Sequence, residues 1–359
     1  STFSVYTWLY YYIALMNHIN PSYRSKFKSK RSATEIAKAI VERDRFALSK
    51  AITLVESSDP TKKQISTEIA DYLANHTSPK SIRIAISGSP GVGKSTLIEK
   101  WGLQYVNQGH KVAVLAIDPS SSVTHGSILG DKTRMEELGQ HRNAYIRPSA
   151  AGLTLGGVHH ATRESIRLCE SAGYDIILIE TVGVGQSESM AAEMSDIFVL
   201  LLLPGAGDEI QGIKRGIVEL ADIVAINKAD EDRIQLATES AKSYKNALSL
   251  YHHPILEWRV PVSMISGLRG FGINLLTDQV NAFCKLSKEK GKFDAKRIKQ
   301  DIDWLYKTIE QEVGLLMFNN PNISDTLTNF KSQIIEGKRS THSLINELRS
   351  LIQRTYDNQ

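Results

Sequence analysis

Cysteine is scarce in this chain, where only Cys169 and Cys284 occur among 359 residues. So few thiols, so far apart, argue against a disulfide framework and suit a reducing compartment. No C-x-x-C pair occurs, which argues against a thiolate metal site within one chain. Internal repeats and low-complexity tracts are absent as well.

Excess charge is also lacking, since the formal net charge is only +4. No basic stripe interleaved with aromatic residues is present, so we expect no nucleic-acid partner. The apolar fraction of 42% and the charged fraction of 23% are ordinary for a soluble globular protein. The length allows one large domain with appendages, or two domains.

The first 31 residues lack acidic side chains, and the aromatic-rich stretch from Ser1 to Leu15 has no charge at all. This stretch is too short and too interrupted to span a bilayer. A cluster of basic residues follows it, whereas a secretory signal carries its basic residues before the apolar stretch. We expect residues 1–31 to be a disordered leader of a cytoplasmic, membrane-free protein. A mitochondrial transit peptide for the matrix is the alternative, and Met16 is a candidate start.

Residues 32–80 predict an N-terminal helical extension. Ser32 and Glu35 fit a capping box, and an apolar stripe from Ile36 to Val55 continues the helix that they open. A second helix is predicted at about Lys62 to Asn75.

Residues 81–287 alternate between strand and helix patterns. Most of the strand-like runs are continuously apolar, as expected of parallel strands that helices cover on both faces. We therefore predict an α/β fold with a doubly wound, mostly parallel sheet. The predicted strands are Ile82–Ile86, Lys111–Ile117, Ala144–Arg147, Asp175–Ile179, Ile197–Leu203, Ile223–Ile226 and Val260–Val262.

Residues 288–359 are polar and helical, with candidate helices at Ala295–Phe318, Ile323–Ile335 and His342–Ile352. Apolar residues at helical spacing run from Trp304 to Met317. A packed helical cap and a dimerisation arm both fit this pattern, and we take the arm as the prediction.

The run from Gly88 to Ser95 matches the phosphate-binding pattern G-x-x-x-x-G-K-S/T. Glycines let successive backbone N–H groups turn toward a polyphosphate, a lysine reaches the outer phosphates, and a hydroxyl holds Mg²⁺. A strand precedes the run and a helix, Thr96–Val106, follows it, so the helix N-terminus faces the anion. The predicted nucleotide-binding residues here are Gly88, Gly91, Val92, Gly93, Lys94, Ser95 and Thr96.

The sequence Asn227-Lys228-Ala229-Asp230 follows a buried strand and matches the guanine-recognition motif N-K-x-D. The Asp230 carboxylate can accept hydrogen bonds from N1–H and N2–H₂ of guanine, groups that adenine does not offer there. A helix N-cap is the alternative. The next loop is predicted to contact the base through Ser263 and Met264, although such loops usually read Ser-Ala.

Two carboxylates, Asp118 and Glu180, end strands beside the phosphate loop. Mg²⁺ prefers hard oxygen ligands, so these acids and Ser95 predict its site, with Asp131 holding a metal-bound water. A helix N-cap is again the alternative for each acid. The run Glu180-Thr-Val-Gly183 resembles a D-x-x-G motif, so the Gly183 N–H is expected at the γ-phosphate.

Five motifs occur in the order found in the MeaB/ArgK-type GTPases, which this chain closely resembles from about Ser32 to its C-terminus. They are Asp118–Ser121, Gly130–Met135, Glu180–Glu188, Gly205–Lys214 and Asn227–Asp230. The resemblance implies a homodimeric G protein of the SIMIBI class that binds GTP and GDP. It also implies a chaperone of adenosylcobalamin-dependent methylmalonyl-CoA mutase, with Asp208 and Lys214 as functional residues of a mobile switch.

No glutamine directly follows Gly183, and Gln186 comes three positions later. We therefore expect slow hydrolysis that accelerates when a partner orders Lys214 and the segment from Glu180 to Glu188. Whether Gln186 or Lys214 positions the attacking water stays open.

Three other functions fit parts of the sequence. A nickel or cobalt metallochaperone needs a Cys/His relay, for which only the pairs His159-His160 and His252-His253 are candidates. A phosphotransferase linked to basic amino-acid transport needs acidic side chains for the substrate cation, and no dedicated segment offers them. The third is a GTP-operated binding module, in which GTP hydrolysis only resets the conformation.

Overall fold

A computed structural model describes most of residues 31–357. The described residues divide into two compact units, one that ends at Phe293 and one that begins at Asp294. The sequence had placed this boundary six residues earlier, after residue 287. The described ranges are 31–77, 80–117, 135–148, 155–182, 186–205, 215–249, 253–255 and 257–357.

The first unit is built on a seven-stranded sheet in the order β3-β2-β4-β1-β5-β6-β7, with every pairing parallel. Its two faces contribute to two separate clusters of buried apolar side chains. This arrangement confirms the predicted doubly wound α/β fold. The strands are β1 (Ile82–Gly88), β2 (Val112–Ile117), β3 (Ala144–Arg147), β4 (Ile176–Thr181), β5 (Ile197–Leu202), β6 (Ile223–Ile226) and β7 (Val262–Met264).

The last strand differs from its prediction, since β7 begins where the predicted strand Val260–Val262 ends. Its register pairs Val224 with Val262 and Ile226 with Met264. The apolar residues just before β7 predict the strand two residues too early. This shift changes which residues are expected in the loop that follows the strand.

Helices cover the sheet and extend it at the N-terminus. Within the first unit they are α1 (Ala33–Val41), α2 (Arg45–Val55), α3 (Pro60–His76), α4 (Lys94–Asn107), α5 (Glu136–Gln140), α6 (Leu155–Ser171), α7 (Gln186–Met194), α8 (Arg215–Val218), α9 (Ile234–Leu248) and α10 (Ile273–Glu289). The long α11 (Lys292–Phe318) continues into the second unit, which also holds α12 (Pro321–Ile335) and α13 (Thr341–Asp357).

The N-terminal extension contains one helix more than predicted. The capping box of Ser32 and Glu35 is present, but the apolar stripe is carried by two helices and not by one. Arg43 takes a left-handed φ of 70° between them, and the Asp44 side chain accepts hydrogen bonds from the first N–H groups of α2. An N-cap signal at Asp44 was overlooked because the apolar spacing continues across the break. All three N-terminal helices share the buried cluster on one face of the sheet.

Aspartates precede three strands and fix the amino end of the sheet. The backbone N–H groups of Asp175, Asp196 and Asp222 donate to the carbonyl oxygens of Lys111, Arg83 and Phe198, respectively. Arg83 and Phe198 lie in neighbouring strands, and Lys111 directly precedes one. In return, each carboxylate accepts the N–H of that same residue, at 2.7–2.8 Å. We call this two-bond arrangement the aspartate clamp. Each clamp provides hydrogen-bond acceptors for backbone N–H groups at the end of the sheet where the parallel strands begin.

Candidate functional site

The loop from Gly88 to Ser95 joins β1 to α4 and adopts a backbone that requires glycine at two points. A Cβ at Gly88 would lie 2.4 Å from the Leu201 carbonyl oxygen, and φ there is 149°. At Gly93, φ is 98° and a Cβ would lie 2.7 Å from Nδ2 of Asn227. The loop therefore turns tightly into the helix, as a phosphate cradle must.

The remaining predicted loop residues occupy the same turn. Gly91 lies at its exposed tip with a φ of 79°, and the Val92 side chain is buried beneath it. Thr96 lies half-buried in the first turn of α4. The backbone of this turn can therefore approach an anion closely.

Lys94 lies folded back on its own loop. Its Nζ donates hydrogen bonds to the carbonyl oxygens of Gly88, at 2.8 Å, and Ser89, at 3.2 Å. Burial lowers the pKa of Lys94, while the nearby carboxylates of Glu180 and Glu188 oppose that shift. Phosphate oxygens would replace two neutral carbonyls with stronger, charged acceptors.

Ser95 and Glu180 meet at the carboxyl end of the sheet, where the Ser95 hydroxyl donates a hydrogen bond to Oε1 of Glu180 at 2.7 Å. Glu180 lies inside β4, paired with Ile86, so it is not the helix N-cap that the sequence left as an alternative. A hydroxyl and a carboxylate that converge in this way are hard oxygen donors and fit Mg²⁺.

Five other predicted site residues lie outside the described residues. They are the metal candidates Asp118 and Asp131, and the switch residues Gly183, Asp208 and Lys214. Their roles stay predictions.

Asn227 ties the phosphate loop to the loop that follows β7. Its Nδ2 donates to the Val92 carbonyl oxygen at 2.8 Å, and its Oδ1 accepts the Gly267 N–H at 2.9 Å. Lys228 takes a left-handed φ of 59°, with its Cε 3.9 Å from the position of a Cβ at Gly93. The predicted base-binding motif and phosphate loop are thus one connected structure.

The Asp230 carboxylate contacts the loop that follows β7. A short 3₁₀ helix, Glu231–Arg233, follows it, but the Asp230 side chain makes no capping hydrogen bond to that helix. Its Oδ1 accepts a hydrogen bond of 2.6 Å from the Ser266 hydroxyl. Asp230 therefore occupies the N-cap position of this helix without capping it through its side chain, and its role in base recognition stays a prediction.

The placement of Ser263 and Met264 in a loop is wrong. Both lie inside β7, where the Ser263 hydroxyl accepts a hydrogen bond from Gln279 Nε2 at 2.7 Å. Hydrogen bonds to the base-recognition motif are formed instead by Ile265 and, three residues beyond the predicted pair, by Ser266 and Gly267. The sequence Ser266-Gly267, serine followed by a small residue, fits the usual Ser-Ala pattern better than Ser263-Met264 and indicates the loop correctly.

Comparisons with known proteins identify the family. A family model described as "Methylmalonyl Co-A mutase-associated GTPase MeaB" matches residues 48–322. A putative GTPase of Caulobacter vibrioides is 45% identical over 299 residues, which are 83% of this chain and 91% of that protein. The mouse methylmalonic aciduria type A homolog, a mitochondrial protein, is 43% identical over 322 residues, 87% and 78% of the two chains.

A solved structure is also similar. The crystal structure of a LAO/AO transport system kinase superposes with a TM-score of 0.73 at 31% identity, and the match covers 90% of this chain and 99% of that one. The phosphate loop, the base-recognition motif and these matches lead to one conclusion. The chain belongs to the MeaB family of P-loop GTPases, which bind guanine nucleotide and hydrolyse GTP.

Proposed function

We propose that this GTPase is a chaperone of an adenosylcobalamin-dependent methylmalonyl-CoA mutase or of a related acyl-CoA mutase. Its GTP cycle gates loading of the cobalamin cofactor and protects or reactivates the mutase. The observation that carries the proposal is the match of residues 48–322 to a family described by its association with that mutase. The name of the mouse relative points to the same metabolism.

Mg²⁺ is part of the proposal. Ser95 and Glu180 would hold the ion, together with Asp118 and Asp131, and Lys94 would bind the outer phosphates. The metal supplies positive charge where the transferring phosphoryl group develops negative charge. Gly183, Asp208 and Lys214 would form the switch that reads the γ-phosphate. GTP hydrolysis is then slow when the GTPase is alone and faster when the mutase is present.

The second unit supports a homodimer. Apolar side chains on α11 are exposed at helical spacing, among them Ile302, Leu305, Ile309 and Leu316. An apolar stripe of this kind on a long helix is typical of association with another helix. We therefore propose residues 288–359 as the dimerisation arm.

No helix among the described residues is long and apolar enough to cross a membrane. We propose a cytoplasmic location, with the mitochondrial matrix as the alternative if the leader is a transit peptide. We propose no nucleic-acid partner.

The other functions receive less support from the described residues. The described residues contain no group of three or more His, Cys, Asp or Glu side chains that could hold a metal ion. His253, a candidate for a nickel relay, instead bonds Asp222 at 2.8 Å and accepts the Ile255 N–H. The similar solved structure is named as a transport system kinase, and this name is the one observation in favour of a phosphotransferase role. Transfer of the γ-phosphate to an acceptor other than water would decide for it.

The deciding experiment measures GTP turnover with and without a cobalamin-dependent methylmalonyl-CoA mutase. Lys214→Ala should leave GTP affinity unchanged and remove the stimulation, because Lys214 is proposed to act only once the partner orders the switch. Lys242→Ala, which replaces an exposed lysine on α9, is the matched control and should keep the stimulation. A mutase without effect on the unaltered protein contradicts the chaperone proposal, and stimulation that survives in Lys214→Ala contradicts that residue's role.

A further inference from the structure

The chain that leaves β5 is held by a helix from another part of the first unit. Pro204 has no backbone N–H, and the next N–H, that of Gly205, donates to the hydroxyl of Ser240 on α9 at 2.9 Å. Gly205 takes a left-handed φ of 83°, and a Cβ there would lie 2.8 Å from Cδ2 of Leu236. Leu236 and Ser240 are one helical turn apart, so both face Gly205 from the same side of α9.

This anchor lies where the proposed switch segment, Gly205–Lys214, begins. The contact is at the surface, since Gly205 is exposed, Ser240 is half-buried and Leu236 is 44% exposed. Water can replace a hydrogen bond at such a place, so this bond adds little to the stability of the fold. Its main effect is to fix the position of the backbone at the first residue of the segment.

The helix that provides the anchor also begins beside the base-recognition motif. Asp230 is followed by the 3₁₀ helix Glu231–Arg233 and then directly by α9. At the other end of the motif, the Asn227 N–H donates to the carbonyl oxygen of Leu202, the last residue of β5, at 2.8 Å. The base-recognition motif and the start of the switch segment are therefore joined twice, once through the end of β5 and once through α9.

We propose that Ser240 is a positioning residue of the GTPase, which holds the start of the switch segment on α9 and thereby supports the turnover that the partner stimulates. This inference rests on the proposed switch and on the proposed mutase partner. A segment whose first residue is already fixed loses less conformational entropy when a partner orders the rest of it. Loss of the Ser240 hydroxyl therefore raises the cost of ordering the switch and leaves the nucleotide-binding loops in place.

The first test measures GTP turnover of the full chain with and without a cobalamin-dependent methylmalonyl-CoA mutase. Ser240→Ala removes the anchor and keeps the helix, because alanine is a strong helix former. We expect the ratio of turnover with the mutase to turnover without it to fall about fivefold, the effect of one hydrogen bond, while the Kd of GDP stays unchanged. Ser240→Thr retains a hydroxyl and should restore the ratio. Ser243→Ala, which removes an exposed hydroxyl on the same helix, is the matched control and should keep the ratio of the unaltered protein.

A second measurement tests the anchor without the mutase. Amide hydrogen exchange at Gly205, followed by mass spectrometry on the full chain, should be about fivefold faster in Ser240→Ala than in the unaltered protein, and unchanged in Ser243→Ala. Unchanged exchange at Gly205 in Ser240→Ala, or full stimulation of that variant by the mutase, overturns the inference alone. A mutase that does not stimulate the unaltered protein contradicts the proposed function, and the exchange measurement then decides by itself whether Ser240 holds Gly205.

Discussion

The two ends of the central sheet use the same residue types for opposite purposes. At the amino end, the aspartate clamps join carboxylates to backbone N–H groups, and Glu170 accepts two hydrogen bonds from the Arg83 guanidinium, at 2.7 and 2.8 Å. At the carboxyl end, Glu180 and Asp230 accept hydrogen bonds from the hydroxyls of serines. Backbone and guanidinium donors hold the strands together at one end, and neutral hydroxyls hold carboxylates in place at the other.

The difference teaches how to separate structural from functional polar residues. A buried backbone N–H needs its acceptor, so loss of an aspartate clamp leaves an unsatisfied group inside the protein. A serine hydroxyl or a loop carbonyl can exchange its partner for a ligand at little cost. Substitutions at the amino end should therefore reduce stability and spare nucleotide binding, and those at the carboxyl end should do the reverse.

Lys94→Ala should give the largest effect. The variant loses the charge-assisted hydrogen bonds to the phosphates, each worth about 1.5–3 kcal/mol, so GTP affinity should fall by about 100-fold or more. Stability should change by less than about 1 kcal/mol, since burial of the ammonium, which lowers its pKa, is itself unfavourable. Isothermal titration with GTP and urea unfolding measure the two quantities.

The control for this variant is Lys100→Ala, which replaces a half-buried lysine on the same helix. It should bind GTP as the unaltered protein does. A Lys94→Ala protein that unfolds at much lower urea concentration would break the contrast between the two ends of the sheet.

Asp222→Asn tests the amino end. Asp222 accepts the Phe198 N–H with one oxygen and bonds His253 Nε2 with the other, both at 2.8 Å. Because His253 Nδ1 accepts the Ile255 N–H, its Nε2 carries a hydrogen, and an asparagine in place of Asp222 cannot accept from both donors. We expect a loss of about 2 kcal/mol in the free energy of unfolding, measured in urea, with GTP affinity unchanged.

Asp175→Asn offers a matched comparison, since Asp175 forms the same clamp with a side chain that is 42% exposed. Water can replace the lost acceptor there, so the cost should stay below about 1 kcal/mol. Equal costs at the two aspartates would mean that burial does not set the strength of a clamp.

Local patterns made much of the fold and the phosphate loop predictable. Apolar runs located the strands, because parallel strands covered on both faces leave little room for polar residues. The glycines of the match from Gly88 to Ser95 follow from backbone sterics, and the structure shows the close contacts that exclude a Cβ at Gly88. The break at Arg43 was missed because apolar spacing does not register a single left-handed residue.

Partners that are distant in sequence could not be predicted. The clamp between Asp196 and Arg83 joins residues 113 apart, and no local pattern marks it. The loop predicted to contact the base was misplaced for a related reason, since the position of β7 depends on its register with β6 and not on its own apolar residues. Ser266 was therefore overlooked in favour of Ser263.

Ser266→Ala should give a smaller loss of nucleotide affinity than Lys94→Ala, and it decides between these two serines. The Ser266 hydroxyl donates to Asp230 Oδ1 at 2.6 Å and accepts the Arg269 N–H at 3.0 Å, so it holds in place the carboxylate that is predicted to bind the base. Its loss should weaken GDP affinity about fivefold, equivalent to one hydrogen bond of about 1 kcal/mol. Ser263→Ala removes an equally small hydroxyl that bonds only the described Gln279 side chain, and it should leave GDP affinity unchanged. The reverse result would return the base-binding role to Ser263 and would show that hydroxyl contacts at this edge are structural.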